Sequence, residues 1–220
     1  MAIRLDHLPK HEDIKLYQDD EMFKMNSDTR HLGDFLVFNK NDYTILDVGT
    51  NNGALLLYAH KNKKAKHYYG VDINSRAIEL AKENMHINNV DNCTFYVNEF
   101  QTLKMEQVDY IVSNPPYFDG EHVSLNVDKR KARFAEYLPL EDLIKNSKRL
   151  LKDRGSLFIV YPCFKLAQVI AMLDKYKFGV IRLQFVYDEN KDDALVFLIE
   201  ARKGMKHYSK ICKPIVNSRV

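Results

Sequence analysis

The feature that most constrains this chain is a pair of prolines placed directly after a β-rich apolar run. Val108-Asp109-Tyr110-Ile111-Val112-Ser113 has the make-up of a short buried strand. Asn114-Pro115-Pro116-Tyr117 follows it without a break. Neither proline can donate a ladder hydrogen bond and both fix φ, so the strand must stop there. The product is a stiff corner with Asn114 at its mouth and Tyr117 beside it. Open α/β sheets bind ligands beyond the carboxyl ends of their strands, which makes this corner the first candidate site.

Three other segments repeat the pattern of a strand ending in polar residues. Thr44-Ile45-Leu46-Asp47-Val48 runs into the turn Gly49-Thr50-Asn51-Asn52-Gly53, and a helix is expected from Ala54. Gly49 and Gly53 allow close backbone approach to a ligand, and a helix N-terminus lies just behind them. Asp47 would stand at the strand end. His67-Tyr68-Tyr69-Gly70-Val71-Asp72 ends in an acid 25 residues beyond Asp47. An acid there binds ribose hydroxyls in doubly wound sheets, with Ile73 packing on an adenine ring; the competing role is to cap the helix expected over residues 75–88. Cys93-Thr94-Phe95-Tyr96-Val97 ends at Asn98-Glu99, either of which can reach a ligand. The spacing is that of a βαβαβαβ layout. The expected fold is α/β and Rossmann-like, a seven-stranded mostly parallel sheet with an antiparallel last strand and helices on both faces.

The remaining elements fit that sheet. Residues 1–13 are polar and read as loosely held. Asn26-Ser27-Asp28-Thr29 offers caps for a helix through Leu32, Phe35 and Leu36; Asp28 either faces a cofactor or, with Ser27, caps the helix. After the proline corner comes a long loop with Lys129-Arg130-Lys131-Ala132-Arg133-Phe134, a mixture suited to phosphate contacts and base stacking, or else a solvated charged loop. A helix is expected over 140–151, a strand over 155–161, a helix over 164–176, and two closing strands over 178–187 and 194–201. The tail carries Lys203, Lys206 and Lys210, as a nucleic-acid contact or a frayed end. The expected organisation is one domain: a leading segment, 1–38; a Rossmann-like body, 39–204; and a basic tail, 205–220.

Size and composition exclude rather than identify. The chain has 220 residues, enough for one α/β core, and its net charge of +3 decides nothing by itself. Cys93, Cys163 and Cys212 have no C-x-x-C spacing, so neither a zinc site nor a disulfide framework is expected, and reduced thiols in a cytoplasm are the plain reading. No metal site is expected. No apolar run approaches the ~20 residues of a membrane span, and the N-terminus lacks a signal-peptide core.

The Asn114-Pro115-Pro116-Tyr117 tetrapeptide, after an Asp47-containing glycine turn and Asp72, resembles the class I S-adenosylmethionine-dependent methyltransferases that modify a planar –NH2 group. The resemblance implies that the turn with Asp47, Gly49, Asn51 and Gly53 wraps the methionine part of the cofactor and that the leading segment, 1–38, lies over the cofactor pocket. It further implies that Asp72 holds the ribose, and that Ile73 with Asn98 or Glu99 meets the adenine. Asn114 and Pro115 would accept the N–H bonds of the target amine, with Pro116 stiffening the corner and Tyr117 stacking on the base. Asn51 stands where the family pattern D-x-G-x-G-x-G has its middle glycine; Asn tolerates left-handed φ, so the turn can survive. The motif alone does not choose among adenine, cytosine and a glutamine amide.

The order of Asn114-Pro115-Pro116-Tyr117-Phe118, Ala132-Arg133, Arg149-Leu150-Leu151 and Gln184-Phe185-Val186 is similar to that in bacterial tRNA (adenine-N6)-methyltransferases acting at position 37 of valine tRNA. Where some of these carry His, this chain has Phe134. The resemblance implies a cytoplasmic enzyme with a tRNA partner, held by Lys129, Arg130, Lys131, Arg133 and the tail lysines. Alternatives are methylation of ribosomal RNA guanine N2 or of a release-factor glutamine, and, in another class, a non-catalytic RNA-binding protein on a degenerate Rossmann core. Oligomeric state is not legible.

Overall fold

The computed structural model describes residues 3–115 and 138–217. The proline-terminated run forms β6 (Val108–Ser113), buried along its whole length. It lies beside β3 (Thr44–Val48), and from this pair the sheet grows both ways. On one side stand β4 (His67–Asp72) and β5 (Cys93–Val97); on the other, β7 (Leu151–Pro162), β9 (Val196–Lys203) and β8 (Phe178–Asp188). The pairs from β5 through to β7 are parallel, and β9 runs antiparallel to both neighbours. These are the seven strands expected, with the antiparallel last strand, in a sheet that two short tail strands extend to nine among the described residues. Strand order reverses between β3 and β6, so a crevice opens at their carboxyl ends.

Period-two alternation divides the core between the two faces of the sheet. Ile45, Tyr110, Val112, Phe158 and Val160 face α1 (Ser27–Phe35) and α2 (Ala54–Asn62), through Leu32, Phe35, Leu56 and Tyr58. Leu46, Ile111, Leu157 and Ile159 face α4 (Leu140–Leu150) and α5 (Leu166–Lys175), through Leu143, Ile144, Val169 and Leu173. The helix expected over 140–151 stops at Leu150, and β7 begins at once rather than at Gly155.

Residues 3–19 correct the expectation of a loosely held N-terminus. They form an antiparallel hairpin, β1 (Ile3–Leu8) and β2 (His11–Asp19). Its backbone is fastened to α3 (Ser75–Ile87) by two asparagines one helical turn apart. Asn84 accepts from Tyr17 N–H at 2.6 Å and donates to Tyr17 C=O at 2.9 Å. Asn88, the residue closing α3, does the same for Lys15 at 2.9 and 2.7 Å. Side-chain amides thus satisfy an edge that would otherwise need another strand.

The tail is not frayed over its described part. β10 (Lys210–Ile211) and β11 (Ile215–Asn217) add parallel pairing to the outer edge of β8. Asn217 Oδ1 also lies 2.9 Å from His31 Nε2 on α1. No helix among the described residues is long and apolar enough to cross a membrane.

Candidate active site

The carboxyl ends of β3, β4, β5 and β6 open on a cleft of about 700 Å³. The turn after β3 is held by main-chain bonds from Gly49 and Thr50 to Val71 C=O, at 2.9 and 3.1 Å. Gly49 has φ +70°, and nothing lies within 4 Å of where a Cβ would stand, so the backbone is bare there. Gly53, at φ +79°, begins α2 without any side-chain cap. α1 and α3, by contrast, are capped by Asn26 and Asn74. The uncapped first turn of α2, with Ala54 and Leu55, is part of the cleft wall. It presents main-chain N–H groups and the positive end of a helix dipole to whatever fills the cleft.

Asp72 is the acid of the site. Its carboxylate accepts Asn51 N–H at 2.9 Å and Asn74 N–H at 3.0 Å. Burial raises its pKa, against the pull of these main-chain donors. A carboxylate has about four acceptor sites, so capacity remains for a ligand hydroxyl. Because Asn74 caps α3, Asp72 is not the helix cap that competed in the sequence. Likewise Asn26, not Ser27 or Asp28, caps α1: its Oδ1 accepts Thr29 N–H at 3.0 Å.

Asp47 lies behind the turn rather than in the cleft wall. It is buried, and Oδ2 accepts from Thr50 Oγ1 at 2.9 Å. Oδ1 is buried without a hydrogen-bond partner. Burial, with the nearby charge of Asp72, pushes its pKa up to about 7. Asn51 adopts φ +47°, the left-handed conformation that glycine fills in the family pattern, and lines the cleft with Ile73 and Asn98. Glu99 is exposed and does not line it.

At the corner, Ser113 Oγ donates to Val48 C=O at 2.8 Å and pins the end of β6 to that of β3. Asn114 and Pro115 line the cleft. The Asn114 amide donates to Thr29 Oγ1 at 2.9 Å. Pro116, Tyr117, Lys129, Arg130, Lys131 and Arg133 lie outside the described residues. Asp109, in the same strand, is at its other end. It is held well below the usual carboxylate range by Lys40, Thr44 and Lys152, whose bonds outweigh the opposing effect of burial.

The tail lysines are not at the cleft. Lys203 pairs with Phe178 at the start of β8, and its ammonium is held by Leu151 C=O at 2.7 Å. Lys206 lies against Gly179, also at the start of β8. β8 runs parallel to β6, so both lysines sit at the end of the sheet opposite the cleft, roughly 20 Å away along the six residues of β6. Lys210 is exposed on β10, opposite Arg182.

Sequence reading placed the leading segment 1–38 over the pocket, and its residues 20–25 line the cleft wall; it gave no site role to Thr29, Asn52, Phe100, Gln101 or Leu138, which line the wall too. Among the described residues, no group of three or more His, Cys, Asp or Glu is placed to hold a metal ion.

A family model described as methyltransferase small domain matches residues 24–181. A protein of Flavobacterium psychrophilum named tRNA1(Val) (adenine(37)-N6)-methyltransferase is 26% identical over 193 residues, covering 84% of this chain and 82% of that one. A release factor glutamine methyltransferase of Aliivibrio fischeri is 37% identical over 111 residues, covering 47% of this chain and 39% of that one. Among solved structures, a predicted O-methyltransferase from Agrobacterium tumefaciens superposes with a TM-score of 0.66 at 18% identity, covering 86% of each chain.

Proposed function

The chain belongs to the methyltransferase small domain family, and from that premise we propose that it transfers a methyl group from S-adenosylmethionine to the exocyclic N6 of an adenosine in tRNA, at position 37 of valine tRNA. The observation that carries this reading is the placement of Asn114 and Pro115 in the same cleft as Asp72 and the uncapped start of α2.

The residues present fit the methyl donor. The first turn of α2 offers main-chain N–H groups to its carboxylate. Asp47, buried behind the turn, serves the donor indirectly, by holding Thr50 and so the shape of the turn. Asp72 takes the ribose hydroxyls, and Ile73 and Asn98 meet the adenine. Bound there, the donor supplies a methyl already activated by a sulfonium, so the protein need not provide a strong electrophile.

What the chain supplies is orientation. The amine of adenine is a poor nucleophile, because its lone pair is shared with the ring. Asn114 Oδ1 and the Pro115 carbonyl each accept one N–H, hold the nitrogen in line and favour its pyramidal form over the flat one. Tyr117 stacks on the base once the adenosine has left its own stack. Lys129, Arg130, Lys131 and Arg133 contact phosphates of the tRNA, while Lys206 and Lys210 reach a part of it distant from the cleft. In this division residues 1–38 cover the cofactor, 39–204 carry the chemistry and 205–220 contact RNA. The three cysteines are free thiols, and a tRNA substrate places the enzyme in the cytoplasm.

The share of the chain aligned favours adenosine over glutamine. The tRNA-modifying relative spans most of this chain, and the glutamine-modifying one about half. The test is transfer from labelled S-adenosylmethionine to unmodified tRNA, followed by nucleoside analysis. N6-methyladenosine is the expected product. Donor binding without transfer to tRNA overturns the substrate assignment and points to ribosomal RNA guanine N2 or to a release-factor glutamine. Loss of donor binding as well leaves a non-catalytic RNA-binding protein.

A further inference from the structure

Asn114 can serve a donor amine only if its side chain points the right way round. Its Oδ1 must face the substrate and its Nδ2 must face the protein. Nothing in the Asn114-Pro115 backbone decides between the two flips. Four hydrogen bonds at the start of α1 do.

The order can be followed from a group that has no choice. Thr29 N–H can only donate, so the atom of Asn26 that receives it at 3.0 Å is the carbonyl Oδ1. The same Oδ1 stands 3.1 Å from Thr29 Oγ1. An oxygen there can only accept, so the Thr29 hydroxyl gives its one proton to Asn26. What remains on Thr29 Oγ1 toward Asn114, 2.9 Å away, is a lone pair, and it accepts from Nδ2. Asn26 Oδ1 lies a further 3.4 Å from the same Nδ2. The opposite flip would leave three oxygens sharing the single Thr29 hydroxyl proton, so at least one close O···O contact would carry none. Thr29 is largely buried, so these side chains are the main partners of its hydroxyl.

We propose that Thr29, proton-ordered by Asn26, is a positioning residue that fixes the amide of Asn114 with its oxygen toward the substrate. The device makes the site selective for a target that brings N–H donors, such as an exocyclic amine or a primary amide, over one that brings a carbonyl. The inference rests on the reading of Asn114 as the amine acceptor. Its orienting part is also testable without any substrate.

The experiment compares Thr29→Ser and Thr29→Val. Valine keeps the shape and the main-chain N–H that completes the cap, and removes only the hydroxyl. Two readouts are taken: hydrogen exchange of the Asn114 side-chain amide by NMR in the donor-free protein, and kcat with the donor Kd from calorimetry. Thr29→Ser should keep slow exchange and a kcat within about threefold of wild type. Thr29→Val should speed the exchange and lower kcat by about 10- to 100-fold, since small misplacements of an orienting group cost that much. The donor Kd should stay within about twofold. Wild-type exchange in Thr29→Val, or a serine variant as impaired as the valine one, overturns the proposal. If Thr29→Val does not fold, Asn26→Asp and Asn26→Ala make the same comparison: aspartate keeps the acceptor oxygen and should behave as wild type, and alanine should speed the exchange. Should wild type methylate no adenosine while exchange follows the hydroxyl, the functional reading falls and the orienting role stands.

Discussion

The side-chain amide of Asn51 donates to the main-chain carbonyl of Phe23. Glycine, which the family pattern places at this position, has no side chain to do so. Asn51 accepts the left-handed φ of +47° and gives its own N–H to Asp72. One residue therefore ties the acid of the cleft to the segment 20–25 that walls its outer side. Asn51→Gly should preserve the turn and lose the tie. A hydrogen bond of this kind contributes about 1 kcal/mol, so donor affinity should fall by roughly fivefold and amide exchange should accelerate over residues 20–25. Unchanged exchange there would make the tie incidental.

Asp47 gives stability a pH dependence of a defined sign. Its pKa is pushed up to about 7 in the folded protein, mainly by burial, against about 3.9 when unfolded. A carboxyl with a raised folded pKa contributes fully while protonated in both states and loses that contribution as pH rises. The loss should run from about pH 4 to pH 7 and amount to a few kcal/mol. Asp47→Asn keeps the shape, and the Thr50 hydroxyl still has an oxygen to donate to. Urea unfolding should show variant and wild type converging at pH 4 and the variant more stable at pH 8. Parallel curves across that range would mean that Asp47 is not held neutral by the fold.

The contrast between Asp72 and the N-terminal hairpin shows what a sequence can and cannot display. Strand ends are local events: apolar alternation, then Asp, Asn, Gly or Pro. Asp72, Asn98 and Asn114 were legible because each closes its own strand. The hairpin was not, because its outward residues are charged and its backbone bonds go to Asn84 and Asn88, far along the chain. Thr29 escaped for a similar reason. Asn26, Ser27 and Asp28 are equally good caps on paper, and only the choice of Asn26 leaves Thr29 facing Asn114. Lys203 and Lys206 were visible as charge, but which sheet edge they occupy depends on the direction of β9 and β8.

Tyr58 is fully buried on α2, and its hydroxyl has no partner among the described residues. Its ring also fills the place a Cβ on Gly33 would occupy, which locks α1 close against α2. An unsatisfied buried hydroxyl costs about 1–3 kcal/mol. Tyr58→Phe keeps the ring contact and removes that cost, so it should raise stability by about 1 kcal/mol in chemical unfolding. Gly33→Ala should lower it by about 1–3 kcal/mol through overpacking. Destabilisation by Tyr58→Phe would reveal a partner for the hydroxyl.

Charge removal should separate RNA-binding cations from structural ones. Lys203 has its ammonium on Leu151 C=O and near Asp153, with only 16% of its side chain exposed. Lys203→Ala should therefore reduce stability and leave the salt dependence of tRNA binding unchanged. Replacing Lys129, Arg130 and Lys131 together should lower the slope of log K against log salt by about 2–3, roughly one unit for each phosphate no longer neutralised. An unchanged slope would return that stretch to an ordinary solvated loop.

Asp72 and Asn114 should fail in different ways, because one serves the donor and the other the acceptor. Asp72 anchors the N–H groups of Asn51 and Asn74, and in the proposed function it also takes the ribose. Asp72→Ala should weaken donor binding by at least tenfold, since a charged hydrogen bond is worth about 1.5–3 kcal/mol; part of its lost turnover should return at high donor concentration. Asn114 touches Thr29, and in the proposed function it meets the target amine and no group assigned to the donor. Asn114→Ala should leave the calorimetric donor Kd within about twofold and lower kcat by at least a hundredfold, a loss no donor concentration restores. The two variants thus cross: one recovers with donor, the other does not. Should Asn114→Ala lose donor binding instead, the corner would belong to the cofactor site, and the amine acceptor would have to be sought elsewhere in the cleft.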